Sequence, residues 1–190
     1  MTGRLLCLVG GPPRVGKSSL ALEMLTRDGL AWLPTDVLRT VLRRVLRELD
    51  DVDHDPVDPA QLAELMYPHL EQAAEVCVEE SPRFLIEGFE ISPLHTGRFR
   101  TALSGVEIRT CFIGNAGFSS DDLGSYRGPK PQGETMMSRA ELDEAAAWIR
   151  RHSEQLREQC DRTGQLYLDV GDLGFKVALK VAREHLLGRS

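Results

Sequence analysis

The stretch that decides the fold is Gly11-Pro12-Pro13-Arg14-Val15-Gly16-Lys17-Ser18. It satisfies the pattern G-x-x-x-x-G-K-[ST] at every fixed position. The residues before it, Leu5 to Val9, are apolar throughout, which is typical of a strand buried on both faces. The residues after it, from Lys17 to about Arg27, carry apolar side chains at helical spacing. The sequence therefore predicts a strand, a glycine-rich turn and a helix in succession.

A turn of this kind is suited to phosphate. Its backbone N–H groups point at a phosphate chain, and the N-terminus of the following helix adds partial positive charge. We expect Lys17 to reach the β- and γ-phosphates of a nucleoside triphosphate, and the Ser18 hydroxyl to ligate Mg²⁺. Arg14 stands where glycine often provides a positive φ, so a strained backbone or a different loop shape is expected there. The predicted nucleotide contacts are the turn and the residue after it: Gly11, Pro12, Pro13, Arg14, Val15, Gly16, Lys17, Ser18 and Ser19.

The rest of the chain alternates between predicted strands and helices. Further strands are expected at 30–33, 84–86, 106–113 and 166–168, with helices from 36 and over 60–80, 95–103, 139–162 and 175–187. This alternation predicts a parallel sheet covered by helices on both faces. A length of 190 residues suits one domain and is short for two, so residues 1–190 are expected to form a single domain. The segment 115–138, rich in Gly, Ser and Pro, is the candidate lid.

Charged side chains follow two of the predicted strands. Asp36, Arg39 and Arg43 fall on one helical face directly after the second strand. Asp36 could orient or deprotonate an acceptor hydroxyl, and the two arginines could bind a carboxylate or phosphate of the same substrate. Glu87 ends the apolar strand at 84–86, a place where an acid orients Mg²⁺ or its waters. The alternatives are a helix-capping Asp36 before a solvated basic face, and a Glu87 that faces solvent.

These stretches resemble those of small-molecule and nucleotide-type P-loop kinases, and most of all the 2-phosphoglycerate kinase group. The matching residues are Gly11 to Ser18, Thr35 to Arg39 with Arg43, and Ile86 to Gly88 with Ile91 to Pro93. The Asp-x-x-Arg step also resembles chloramphenicol phosphotransferase and zeta-type toxin kinases. The resemblance implies the P-loop NTPase fold, a three-layer αβα sandwich whose five-stranded parallel sheet has the order 2-3-1-4-5. It also implies that Asp36 acts on the acceptor hydroxyl.

The candidate lid departs from this pattern in its cations. Kinases of this kind usually place arginine in the lid to neutralise the migrating phosphoryl group. The chain supplies four cations in and just after the segment: Arg127, Lys130, Arg150 and Arg151. We expect Arg127 and Arg150 to be catalytic, although the sequence leaves open which cation enters the site. His95 follows the strand-end acid by eight residues and is a candidate substrate contact, alongside Asp36, Arg39, Arg43 and Glu87.

Composition narrows the choice of partners. Lys and Arg number 23 against 29 Asp and Glu, a net charge of −6, which argues against nucleic acid or an anionic membrane as the main partner. No stretch approaches the roughly 20 apolar residues of a membrane span. The four cysteines are far apart and lack a Cys-x-x-Cys pair, so we expect buried free thiols in a reducing cytoplasm. We expect a small-molecule substrate and a monomer or homodimer.

Two functions are compatible with the sequence. The first is an Mg²⁺-ATP-dependent kinase that transfers the γ-phosphoryl group to a hydroxyl of a small polar or anionic metabolite. The second is a nucleotide-binding regulatory or switch ATPase with little phosphotransfer. The guanine-binding motif [NT]-K-x-D of GTPase switches does not occur in the sequence, and the chain has no room for the second helical domain of larger ATPases. The small size and the Asp-x-x-Arg step favour the kinase.

Overall fold

The computed structural model describes residues 3–46, 58–124 and 137–189, and it confirms the predicted alternation of strands and helices. The strands are β1 Arg4–Gly10, β2 Ala31–Pro34, β3 Arg83–Gly88, β4 Val106–Gly114 and β5 Leu166–Asp169. The helices are α1 Lys17–Asp28, α2 Thr35–Arg43, α3 Pro59–Glu80, α4 Thr96–Ala102, α5 Ser120–Gly124, α6 Arg139–Thr163, α7 Val170–Leu173 and α8 Phe175–Leu187. A single 3₁₀ turn, Pro93–His95, precedes α4.

Two boundaries differ from the sequence prediction. Helix α2 begins at Thr35, directly after β2, so Asp36 lies in its first turn and does not cap it. Helix α5 lies within the candidate lid, where no helical periodicity was expected. It is held by local hydrogen bonds between Ser119 and Asp122, in which the Ser119 hydroxyl donates to the carboxylate over 2.6 Å. Such short polar motifs leave no apolar periodicity in the sequence.

The sheet is parallel throughout, with the order β2-β3-β1-β4-β5. The predicted order 2-3-1-4-5 is therefore confirmed. Strand β1 is central, and all its residues from Leu5 to Gly10 are buried. Leu6 and Leu8 pack into a core shared with α3, α4 and α6. Leu5, Cys7 and Val9 pack into a second core, on the opposite face, shared with α1 and α8. These two cores give the three-layer αβα sandwich.

Helix α1 holds the glycine-rich turn against this sheet. Leu20, Ala21 and Met24 form its buried face, and each is at most 1% exposed. Burial of a Leu or Met side chain contributes about 2 kcal/mol to folding, so this face fixes the helix firmly on the sheet. The helix ends at Asp28, and the next residue, Gly29, has a φ of 69°, the left-handed conformation in which glycine commonly follows the end of a helix. The N-terminus of α1 is thereby directed at the turn.

The predicted burial of the cysteines is confirmed at three of the four positions. All four thiols are free; Cys7, Cys111 and Cys160 are buried, while Cys77 is half-buried. Burial raises the pKa of the Cys7 and Cys160 thiols to about 12, which keeps them protonated and unreactive at neutral pH. Across the three described ranges, no helix has the length and apolar character that crossing a membrane requires.

Candidate active site

The glycine-rich turn follows β1 and adopts positive φ at three positions. Gly11 has a φ of 146° and Gly16 a φ of 100°, and both are closely covered. A Cβ at Gly11 would overlap the carbonyl oxygen of Ile113, and a Cβ at Gly16 would lie 2.6 Å from the ring of Phe175. Arg14 has a φ of 69°, which confirms the strained position expected from the sequence. A non-glycine residue pays about 1 kcal/mol or more for this conformation.

Lys17 closes the turn from the helix side. Its Nζ donates to the carbonyl oxygen of Pro12 over 2.8 Å, and the side chain is buried. Burial lowers the pKa of Lys17, while the carboxylates of Glu87, Asp36 and Glu90 act in the opposite direction. The ammonium group therefore lies within the electric field of three acids, two from the end of β3 and one from α2. This arrangement places a fixed cation in the turn, where the γ-phosphate of a nucleotide was expected.

The two residues predicted to hold a metal ion contact each other. The Ser18 hydroxyl donates to Oε1 of Glu87 over 2.9 Å. Glu87 is 4% exposed because β3 pairs directly with β1, where Val9 is its neighbour. Burial raises the pKa of Glu87, and Lys17 and the Ser18 hydrogen bond oppose that rise. Val15 is buried beneath the turn, while Ser18 and Ser19 are exposed.

Hydroxyl and carboxylate oxygens are the donors that Mg²⁺ prefers, so Ser18 and Glu87 fit this ion. In the part of the chain that the structure describes, no group of three or more His, Cys, Asp or Glu side chains forms a metal cluster.

The start of α2 is joined to the end of β3 by a polar network. Arg39 bridges two carboxylates: its Nη2 lies 3.0 Å from Oδ1 of Asp36, and its Nε lies 3.2 Å from Oε1 of Glu90. The Thr35 hydroxyl also donates to Glu90. Glu90 is 1% exposed, and its burial raises its pKa while the charge of Arg39 lowers it. Asp36 remains largely exposed, and its charge acts on the pKa of Lys17.

Gly88 makes this close approach possible. A Cβ at Gly88 would overlap the hydroxyl of Thr35, so a larger residue at this position would push α2 away from β3. Sequence reasoning singled out Glu87 but gave no role to Glu90 or Thr35. The signal that could have found Glu90 is the pair of acids that flanks Gly88-Phe89 directly after a buried strand.

Arg43 and Arg150 are the next predicted site residues that the structure describes. Arg43 ends α2 and is half-buried. Nη1 of Arg150 donates to the carbonyl oxygen of Phe118 over 2.7 Å, which ties α6 to the first part of the candidate lid. Arg127 and the segment 125–136 fall outside the described residues. The catalytic roles proposed for Arg127 and Arg150 therefore stay predictions.

His95 lies in a cavity of about 290 Å³ beside the end of β3. Its Nε2 is 2.8 Å from Oε1 of Glu64, and its ring packs on Tyr67. The cavity is also lined by Phe89 and by His152, a residue to which the sequence gave no role. His95 thus stands next to the candidate site, and its contact with substrate stays a prediction.

His152 is a buried side chain whose polar atoms are unsatisfied. It is 8% exposed, and neither ring nitrogen has a hydrogen-bond partner among the residues that the structure describes. The ring stacks on Trp148 with centroids 5.4 Å apart and meets Phe89 edge-on at the same distance. Burial, with a further contribution from the charge of Lys17, lowers the pKa of His152 to about 4. The imidazole is therefore neutral at physiological pH.

Comparison with solved structures identifies the fold. A candidate kinase from Chloroflexus aurantiacus superposes with a TM-score of 0.56 at 16% identity, covering 100% of both chains. A gluconokinase from Sinorhizobium meliloti gives a TM-score of 0.55 at 14% identity, covering 99% of this chain and 93% of its own. An uncharacterized protein from Eubacterium ventriosum gives 0.55 at 12% identity, covering 98% and 99%. No family model and no curated protein sequence matches the chain. At these identities the likeness shows the fold alone.

Proposed function

We propose that the protein is an ATP- and Mg²⁺-dependent kinase that transfers the γ-phosphoryl group to a hydroxyl of a small polar or anionic metabolite, similar to the 2-phosphoglycerate kinase group. The observation that carries the proposal is the contact of Ser18 with Glu87 beside the buried Lys17. The charge of Asp36 acts on the pKa of both Lys17 and Glu87, which supports a position of the proposed acceptor base near the phosphate loop. The likeness in fold to a gluconokinase and to a candidate kinase also supports a small-molecule acceptor.

The chain's residues would divide the work between two sides of the cleft. On one side, the N–H groups of the turn bind the phosphates, Lys17 offsets their charge, and Ser18 and Glu87 hold the cation. When bound, Mg²⁺ neutralises charge that develops on the transferring group. On the other side, Asp36 accepts the proton of the acceptor hydroxyl. Arg39 keeps the Asp36 carboxylate in place through the bonds described above.

This division of labour predicts different defects for the two sides. Lys17→Ala removes the ammonium group that donates to the Pro12 carbonyl, so ATP affinity is expected to fall below detection. Asp36→Asn keeps the size of the side chain and the polar contact with Arg39 but cannot accept a proton. We expect unchanged ATP affinity and a loss of transfer of about 10²- to 10⁴-fold.

The measurement is a metabolite screen that follows ADP formation, with mass analysis of the phosphorylated product. ATP affinity is measured separately with a fluorescent ATP analogue. Arg39→Ala is expected to raise the acceptor KM far more than the ATP KM. Equal ATP hydrolysis by the wild type and Asp36→Asn, with no phosphorylated product from any acceptor, would contradict the kinase and favour the regulatory ATPase.

A further inference from the structure

The cavity beside the end of β3 holds a side chain whose polar atoms are unused by the fold. His152 projects from α6 into this space, is 8% exposed, and leaves both ring nitrogens without a partner in the described ranges. A buried polar group without a hydrogen bond is costly, and native structures contain few of them. An orphaned group at the wall of a cavity is readily explained when a ligand supplies the missing bonds.

The position of the cavity connects it with the proposed transfer site. Phe89 and Ile91, which line it, directly flank Glu90. The charge of Lys17 acts on the ring of His152, so the cavity and the phosphate loop are close enough to interact electrostatically. A compound of a few carbon atoms in this cavity would therefore lie next to the segment that carries Glu90, which Arg39 joins to Asp36.

The state of the ring indicates what kind of group it binds. A neutral imidazole presents one N–H donor and one acceptor nitrogen. A hydroxyl group has the matching capacity, since it both donates and accepts. A phosphate or carboxylate ion accepts only, so it would satisfy one nitrogen and would favour a protonated ring. Burial and Lys17 both disfavour that protonated ring.

The charged side chains around the cavity also favour an uncharged ligand. Three carboxylates line it, from Asp58, Glu64 and Glu158, against the single guanidinium of Arg162. Glu64 is further engaged by His95 at 2.8 Å. Arg98 offsets the charge of Glu64 at 3.3 Å, but Asp58 and Glu158 still outnumber Arg162, so an acceptor with several negative charges would meet a net negative wall, whereas an uncharged compound with several hydroxyls would find donors and acceptors.

We propose that the cavity binds the phosphoryl acceptor, that this acceptor is an uncharged polyhydroxy compound such as a sugar alcohol, and that His152 is the residue that positions it. The proposal rests on the kinase function above and narrows its substrate class. In the transfer, an acceptor oxygen forms the new bond to the γ-phosphorus as the bond from that phosphorus to the β,γ-bridging oxygen breaks. ADP leaves with the electron pair, and the hydroxyl proton passes to Asp36.

Binding is tested without turnover through Trp148, which stacks on His152. In a Trp32→Phe background, Trp148 is the sole tryptophan and its emission reports on the cavity. Xylitol, ribitol, D-gluconate and 2-phosphoglycerate are titrated separately at equal concentrations. We expect a saturable change with at least one sugar alcohol, and weaker or absent changes with the two anions.

The same four compounds are then used as acceptors with ATP. His152→Phe keeps the aromatic packing but removes both polar atoms, so the KM of the sugar alcohol is expected to rise about tenfold or more. His152→Asn retains one donor and one acceptor and should give an intermediate KM, which also serves if the Phe variant does not fold. The matched control is His185→Phe on α8, a ring bonded to the Thr110 carbonyl and remote from the cavity, which should leave KM unchanged.

The outcomes separate this inference from the kinase proposal. Phosphorylation of an anion with an unchanged KM in His152→Phe would overturn the inference and leave the kinase standing. Binding of a sugar alcohol that is lost in His152→Phe, with no transfer to any of the four compounds, would leave the cavity a polyol site but overturn its assignment as the acceptor site, and the metabolite screen would then decide the kinase proposal separately. Equal binding of a sugar alcohol by both proteins, or no binding of any, would overturn the inference.

Discussion

Protonation of His152 offers a quantitative test of how dry this cavity is. Burial lowers the pKa of the ring to about 4, whereas an unfolded histidine has a pKa of 6.5. Between pH 4 and pH 6.5, His152 is therefore protonated in the unfolded chain and neutral in the folded chain. The free energy of unfolding that depends on the neutral ring is therefore fully present above about pH 6.5 and is lost as the pH falls toward 4.

The expected loss follows from the size of this gap. A pH of 5 is 1.5 units below the unfolded pKa, and each unit corresponds to about 1.4 kcal/mol. The free energy of unfolding is therefore expected to be about 2 kcal/mol lower at pH 5 than at pH 8. The limiting loss near pH 4 is about 3 kcal/mol. Lys17 is the charged group whose field acts on the ring, and the raised pKa values of Glu87 and Glu90 change stability with pH in the opposite direction.

The assay is urea unfolding followed by far-ultraviolet circular dichroism at pH 8 and pH 5. The wild type is compared with His152→Phe, because all other titrating groups are common to both proteins and cancel in the difference. The wild type should lose about 2 kcal/mol more than the variant, and His185→Phe should behave like the wild type. We also expect the Phe variant to be the more stable protein at pH 5. A pH-dependent loss of the same size in both proteins would show that the ring is hydrated and would refute the reasoning.

Two further changes test contacts at the site and at the far end of α1. Gly88→Ala places a methyl group on the Thr35 hydroxyl, so we expect stability in thermal unfolding to fall by about 1–3 kcal/mol and kcat to fall as well. The control is Gly97→Ala, whose added methyl group meets nothing within 4 Å and should cost no stability. Arg183→Ala removes the two hydrogen bonds of 2.7 and 2.8 Å to the buried Asp28, and the pKa of that carboxyl should rise from its lowered value. The free energy of unfolding in urea is expected to fall by about 2 kcal/mol at pH 7. This loss should become smaller as the pH falls through the range where Asp28 protonates. An unchanged unfolding midpoint at pH 7 would contradict the prediction.

The site consists of two halves held together by Gly88. The turn and Lys17 belong to the half built on β1 and α1, while Asp36 and Arg39 belong to α2. Because Thr35 lies directly on Gly88, α2 cannot move relative to β3 without breaking its bonds to Glu90. The position of α2, and with it that of Asp36, therefore depends on packing at Gly88.

The described part of the candidate lid adds a third element. Phe118 is 4% exposed and packs on Ala146 and Ile149 of α6. Arg150 holds the carbonyl of the same residue, so its observed contact is with the backbone rather than with the cleft. We expect Arg150→Lys to loosen this junction, because a lysine ammonium lacks the planar donor geometry of a guanidinium.

The sequence by itself determined the features that depend on neighbouring residues. The apolar run, the glycine-rich turn and the helical spacing after Lys17 specify a strand, a turn and a helix because each depends on backbone geometry over a few positions. The positive φ of Arg14 and the buried thiols were likewise predictable from local pattern and composition. The strand order came from the resemblance to P-loop kinases and was confirmed by the sheet.

Only the tertiary structure decided which distant side chains meet. The Thr35 hydroxyl donates to Glu90, which lies 55 residues further along the chain, and the Ser18 hydroxyl donates to Glu87, which lies 69 residues further along. The burial of His152 depends on α6 packing against the end of β3, which no local pattern encodes. Contacts of this kind arise when separate elements bury their apolar faces together, so the polar partner of each residue is selected by packing and not by its neighbours in the sequence.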